Sequence, residues 1–171
     1  GTNPFRKVTK KNQYNATPDD GAVTRALTPL QWDYVLDTAE AMAATEPNKH
    51  ERTLFILITM FSMYLRISDI AGRSNWKPTM GDFRRDQEGN WWFHVIGKGN
   101  KSAKIAVRDD YVTGYLTRYR RFLGLSPLPE YQEKTPLITT LSGRSGLSDR
   151  QVRALLQAVF DNALNRMRIE G

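Results

Sequence analysis

The stretch "RTLFILITMFSMYLRISD", residues 52–69, carries the longest run of apolar residues in the chain and ends on two charges. Leu54, Ile58, Phe61 and Leu65 recur at spacings of four, three and four. Phe55, Ile56 and Leu57 widen that face. The spacing predicts a helix over 50–65 that is apolar nearly all round, and such a helix is usually central. Arg66 follows directly, and Asp69 stands three residues later. A charge beside a core face is costly unless it is paired or aimed into a polar cleft. If the helix continues, positions 66 and 69 are neighbours and the carboxylate can hold the guanidinium in one orientation. Two readings stand side by side. The pair closes a helix end structurally, or the arginine presents its planar fork to an oxyanion such as phosphate.

On the N-terminal side, "TPLQ" marks a helix start: Thr28 caps, Pro29 suits the first turn and Gln31 completes a capping box. The helix is expected over 29–44, with Leu30, Tyr34, Val35 and Met42 as its apolar stripe. Residues 1–24 are polar, begin basic and lack periodicity, which reads as a flexible linker or arm. Arg6, Lys7, Lys10 and Lys11 in it also suit a segment that tracks a phosphate backbone.

On the C-terminal side the period changes from winding to alternation. Strands are expected at 80–86, 91–97 and 103–107, separated by the turns "EGN" and "GKGNKS". In the middle strand Trp91, Phe93 and Val95 share one face, and Trp92, His94 and Ile96 the other. A third helix is read at 109–123 from Val112, Tyr115, Leu116, Tyr119, Phe122 and Leu123, with Arg118, Arg120 and Arg121 mostly outside the stripe. A long irregular connection, 126–146, leads to a last helix starting at Ser148, whose capping box is completed by Gln151. Val152, Leu155, Leu156, Val159, Phe160 and Ala163 form its stripe. The expected fold class is α+β, mainly α: a helical domain with a small three-stranded antiparallel sheet.

Composition narrows function. Of 171 residues 40% are hydrophobic, enough for one domain with its own core. Lys plus Arg outnumber Asp plus Glu by 25 to 18, giving a net charge of +7, which favours a polyanionic partner, nucleic acid first. The absence of cysteine excludes a disulfide scaffold and thiolate metal sites, and fits a cytoplasmic protein. His50 and His94 have no ligand spacing, so no metal site is expected. No apolar run reaches the roughly 18 residues of a membrane span. The turn "IGKGNKSAK" offers Lys98, Lys101 and Lys104, with Gly97 and Gly99 removing bulk around Lys98. It reads either as a solvated turn or as a place where a lysine closely approaches a backbone. It lacks the GxxxxGK[ST] pattern of a nucleotide loop.

An apolar helix ending in "LRISD", followed by a small sheet containing "VIGKGNKSAKIAV", resembles the catalytic domain of tyrosine recombinases of the phage-integrase type. "LRISD" is similar to that family's first arginine motif and "GKGNK" to its sheet-hairpin lysine motif. "RALTPLQWDYVLDTAE" looks like the family's first catalytic-domain helix. The resemblance covers about residues 25–165. It implies an enzyme whose tyrosine attacks a DNA phosphodiester, forms a phosphotyrosyl bond and frees a 5′ hydroxyl, with no metal or nucleotide cofactor. Arg66 would then face the non-bridging oxygens, Asp69 would support it, and Lys98 would be the general acid. Lys101, Lys104 and Arg144 would be DNA contacts. Double-stranded DNA would be the partner. The whole protein would self-associate on DNA, and this chain alone would be monomeric.

The departures are specific. Tyr64 stands where the family usually has glycine, and Asp69 where it more often has glutamate. No H-x-x-R occurs in the sequence, and no tyrosine in it is expected to be the nucleophile. Residues 25–171 therefore read as the N-terminal portion of a DNA breaking-rejoining domain, an incomplete integrase-type catalytic domain that is inactive alone. Two alternatives remain: a non-catalytic DNA-binding module or decayed integrase, and a basic structural domain in which "LRISD" is an ion-paired helix end.

Overall fold

The computed structural model describes residues 27–140 and 146–170. The expected arm over 1–24 and Arg144 lie outside the described residues. Helix α1 (Pro29–Thr45) starts as its sequence requires: Thr28 Oγ1 accepts from the Gln31 amide at 3.1 Å, and Gln31 Oε1 accepts from the Thr28 amide at 2.9 Å. Its buried face is Trp32, Val35, Leu36, Ala39 and Ala43, while Leu30 is exposed. The expected stripe is thus rotated, because α1 is pressed between two helices and buries the side that meets both.

Helix α2 (Pro47–Met63) begins three residues earlier than its apolar pattern suggests, with Pro47 in the first turn. Only Glu46 separates it from α1. Every residue from 51 to 61 is buried. The helix is the axis of the core, packed by α1, by the helical rod 109–122, by the sheet and by the last helix. Trp32 stacks on Phe61 and Phe55 on Tyr119, each with ring centroids 4.2 Å apart.

Helix α2 stops before the charges. Tyr64 takes a left-handed conformation (φ 53°, ψ 42°), and the Leu65 amide donates back to Met60 O at 2.9 Å. A new short helix, α3 (Ile67–Ala71), begins directly after Arg66. The expected continuous helix through Asp69 is replaced by a break and a restart. A left-handed position favours glycine, and here a tyrosine occupies it.

Strands β1 (Phe83–Arg85), β2 (Trp91–Ile96) and β3 (Ser102–Val107) form one antiparallel sheet in that order. Phe83 pairs with Phe93, and Phe93 with Ile105, on the buried face. Trp91, Phe93 and Val95 point inward as the alternation requires. The rod α4 (109–122) passes through a π-helical stretch at Val112–Leu116 and buries Tyr111, Tyr115 and Tyr119. Helix α5 (Asp149–Glu170) carries the expected capping box between Ser148 and Gln151. Its buried face is Val152, Leu156, Val159 and Ala163. The architecture is α+β, mainly α, with a small three-stranded antiparallel sheet. Among the described residues no helix is long and apolar enough to cross a membrane.

The connection after α4 is irregular in pattern but pinned in space. Arg120, only 1% exposed, donates to Glu133 through Nη1 and Nη2, both at 2.9 Å, and through Nε to Ser126 O at 2.7 Å. Gly81 donates its amide to Glu133 O, and a Cβ at position 81 would lie 2.5 Å from that oxygen. The close approach of two backbones is what requires glycine there. Arg120 is the one arginine of the three in α4 that the helical stripe misassigns to the surface.

Candidate functional site at the helix break and the hairpin turn

The break at Tyr64 decides where Arg66 goes. As the residue capping α3, Arg66 has extended backbone, and its amide donates to Asp69 Oδ2 at 2.9 Å. Its guanidinium Nε lies 3.7 Å from the same oxygen. Asp69 is wholly buried, while the Arg66 side chain keeps 13% of its surface. The other carboxylate oxygen, Oδ1, accepts from Arg73 Nη2. One buried carboxylate thus serves two arginines. A buried carboxylate needs such partners, since its desolvation is otherwise prohibitive.

Arg73 extends the arrangement into the sheet. Its Nη1 donates to Ile96 O at 2.9 Å, at the end of β2. Its guanidinium carbon lies 5.7 Å from the centre of the Trp76 ring. Asn75 continues the seam: its Nδ2 donates to Gly97 O at 3.2 Å and to Asn100 Oδ1 at 2.8 Å. Gly97–Asn100 is the turn that holds Lys98. The turn closes through the Gly97 amide on Lys101 O at 2.7 Å, and Gly99 and Asn100 both have positive φ. The two motifs quoted from the sequence therefore meet along one seam, Arg66 to Asp69 to Arg73 to Ile96, with Asn75 clamping the adjacent turn.

Lys98 and Lys101 are exposed. Lys104 stands opposite His94 in the β2–β3 register, with its ammonium 4.4 Å from the centre of the Trp92 ring. The Trp92 indole N–H in turn donates to Asp86 Oδ2 at 2.9 Å. Lys104, His94 and Arg84 lie on the outer sheet face. Burial, then the Arg84 charge, lowers the His94 pKa, so the ring is neutral at pH 7.

Sequence reasoning singled out Arg66, Asp69 and Lys98 and did not name Arg73, which links Asp69 to the end of β2, or Asn75, which holds the adjacent turn. Arg73 follows Asp69 by four positions, a spacing that could have flagged it. Asn75 carries no such signal, because its partners are more than twenty residues away.

None of the core tyrosines is set up as a nucleophile. Tyr111 is fully buried, shares a 2.6 Å hydrogen bond with Thr59 Oγ1, and has its pKa driven up by burial. Tyr119 is pushed up to about 12 by burial. Tyr115 donates to Glu40 at 3.3 Å. Tyr131 is exposed on the connection after α4. No protein-family model, no curated protein and no solved structure matches this chain.

Proposed function

We propose that this chain carries one part of the active site of a tyrosine recombinase acting on double-stranded DNA in the cytoplasm. The observation that supports this reading is the seam itself: Arg73 bonds Asp69 of "LRISD" to Ile96 O just before the "GKGN" turn, and Asn75, two residues on, bonds Gly97 and Asn100 at the two ends of that turn. In the proposed reaction the oxygen of a tyrosine attacks the scissile phosphorus and the bond to the 5′ oxygen breaks. Arg66, oriented by Asp69, meets charge on the non-bridging oxygens, and fixed cations aimed at developing charge are often the largest catalytic contribution. The Lys98 ammonium gives its proton to the departing 5′ oxygen. Lys101 and Lys104 contact the DNA backbone. The nucleophile and the second arginine belong to sequence other than these 171 residues, and the whole protein assembles on DNA. The chain by itself binds duplex DNA as a monomer and does not cut it.

A second reading has an observation of its own. Asp69 is wholly buried between two arginines, and Arg66 keeps only 13% exposure. That suits a structural junction closing the end of α2 in a basic domain without catalysis. Two measurements separate the readings. Binding of this chain to duplex DNA should weaken steeply with salt, as release of several counterions requires. A salt-independent or undetectable affinity overturns the DNA reading. In the full-length protein on its own recombination site, Arg66→Ala should reduce formation of the covalent DNA adduct by about 10²–10³-fold, with little loss of DNA binding. Equal losses in both would return Arg66 to the structural junction.

A further inference from the structure

A third arginine has no carboxylate partner among the described residues. Arg52, in the first half of α2, is 8% exposed. Its Nη1 donates to Thr139 O at 2.6 Å, while its Nε is buried and makes no hydrogen bond. The adjacent Glu51 is committed elsewhere, accepting Arg118 Nε and Nη2 at 2.8 and 2.7 Å. Arginine stays protonated in proteins, so a positive charge sits nearly out of solvent with one neutral acceptor. Leaving a buried donor unmade costs free energy. A negative charge in the groove that Arg52 lines would offset that buried positive charge.

Arg52 lines a groove of about 720 Å³ between the start of α2 and the start of α5. The volume lies within the range of small-molecule sites. Lys49 and His50 stand at the same end, and the wall opposite is hydrocarbon from Ala154, Leu155 and Ala158. Burial lowers the His50 pKa, with Lys49 and Arg52 adding to it against the pull of Glu46, so the imidazole is neutral at pH 7. The groove thus offers one desolvated guanidinium and one exposed ammonium beside an apolar wall. That suits a single negative charge on a hydrocarbon body better than a dianion. The guanidinium fork matches a carboxylate in two-point contact.

We propose that this groove binds a monocarboxylate with an apolar body, its carboxylate on Arg52 and its hydrocarbon along Ala154, Leu155 and Ala158. The site is separate from the seam at Arg66, and the inference does not depend on the recombinase reading. Octanoate serves as the probe, titrated into the chain by calorimetry and by NMR of the arginine Nε–H signals. Saturable one-to-one binding that shifts the Arg52 signal is expected. Octanol and inorganic phosphate should each bind at least tenfold more weakly, since each lacks one half of the recognition. Arg52→Gln should lose at least tenfold in octanoate affinity. Ala154→Glu places a carboxylate on an exposed helix position at the groove, and should lose as much without disturbing the core. It keeps the test open if Arg52→Gln fails to fold. The proposal falls if octanol or phosphate binds as tightly as octanoate, if binding does not saturate, or if Ala154→Glu leaves the affinity unchanged.

Discussion

Arg120 and Arg66 are both arginines beside the core, yet their surroundings differ. Arg120 grips both carboxylate oxygens of Glu133, adds two bonds to Ser126, and is almost wholly buried. One cation meets one anion, and the pair ties the long connection to α4. Arg66 shares Asp69 with Arg73, keeps some exposure, and lies on a seam that ends in the exposed lysine turn. There one carboxylate is shared by two arginines. A pair buried as a unit is a complete structural device, whereas a guanidinium at a partly open position still presents its charge to solvent, where an external anion can meet it.

The comparison breaks most visibly at Arg120. Arg120→Ala strands a carboxylate against protein and should cost about 3–5 kcal/mol, read as a shift in the urea midpoint. A loss under 1 kcal/mol would show that the pair is ornamental. Arg73→Ala removes the Arg73–Asp69 contact and frees Ile96 O, and should cost about 2–3 kcal/mol, as loss of charged hydrogen bonds does. Arg66→Ala keeps the Arg73–Asp69 contact and should cost only about 1 kcal/mol. Arg66, with the smallest of the three stability losses, is the one to which the proposed function assigns the large loss of DNA cleavage. Should Arg66→Ala destabilise as much as Arg120→Ala, the two regions are the same kind of structure.

Acid sharpens the contrast further. Burial raises the Glu133 pKa, but hydrogen bonds from Arg120 and from the Glu130 amide outweigh it and hold the carboxyl below the ordinary glutamate value. A depressed folded pKa contributes stability that is fully present above the unfolded value and is lost as pH falls through the folded one. Glu133→Gln should therefore flatten the fall in stability between pH 5 and pH 3, measured by urea unfolding at each pH. An unchanged slope would remove Glu133 as its source. The smallest effect is at the helix break. Tyr64→Gly relieves a left-handed non-glycine residue, worth about 1 kcal/mol or more, while losing half-buried aromatic contact. The net change should lie within about 1 kcal/mol of zero by thermal unfolding. A large loss would mean that the Tyr64 ring, rather than the backbone, holds the break.

The helix starts were legible because their signals are local. Thr28 with Gln31, and Ser148 with Gln151, bond within three residues, so a short window contains both partners. The inward face of β2 was legible for the same reason, since a strand alternates regardless of what covers it. The stripe of α1 was read less well. Which side of it is buried depends on α2 and α5 together, and Leu30 is left outside both.

The candidate site divides along the same line. Arg66, Asp69 and Lys98 announced themselves as charges or glycine-flanked turn residues in an apolar context. Arg73 and Asn75 did not, because their acceptors, Ile96 O, Gly97 O and Asn100 Oδ1, are backbone or turn atoms more than twenty residues away. Arg52 and Arg120 were hidden for a related cause. An arginine on a helix reads as surface until its neighbours in space are known, and Glu133 and Thr139 come from the irregular connection.

By itself the sequence determined a mainly helical chain, a three-stranded meander, a central apolar helix and a basic surplus, all set by periodicity, capping and composition within short windows. The tertiary structure alone decided that α2 breaks at Tyr64, that one aspartate serves two arginines, and that Arg120 has a carboxylate partner while Arg52 has none among the described residues. The physical reason is that charge pairing inside a protein depends on distance and desolvation. Both are properties of the folded packing that no run of adjacent residues contains.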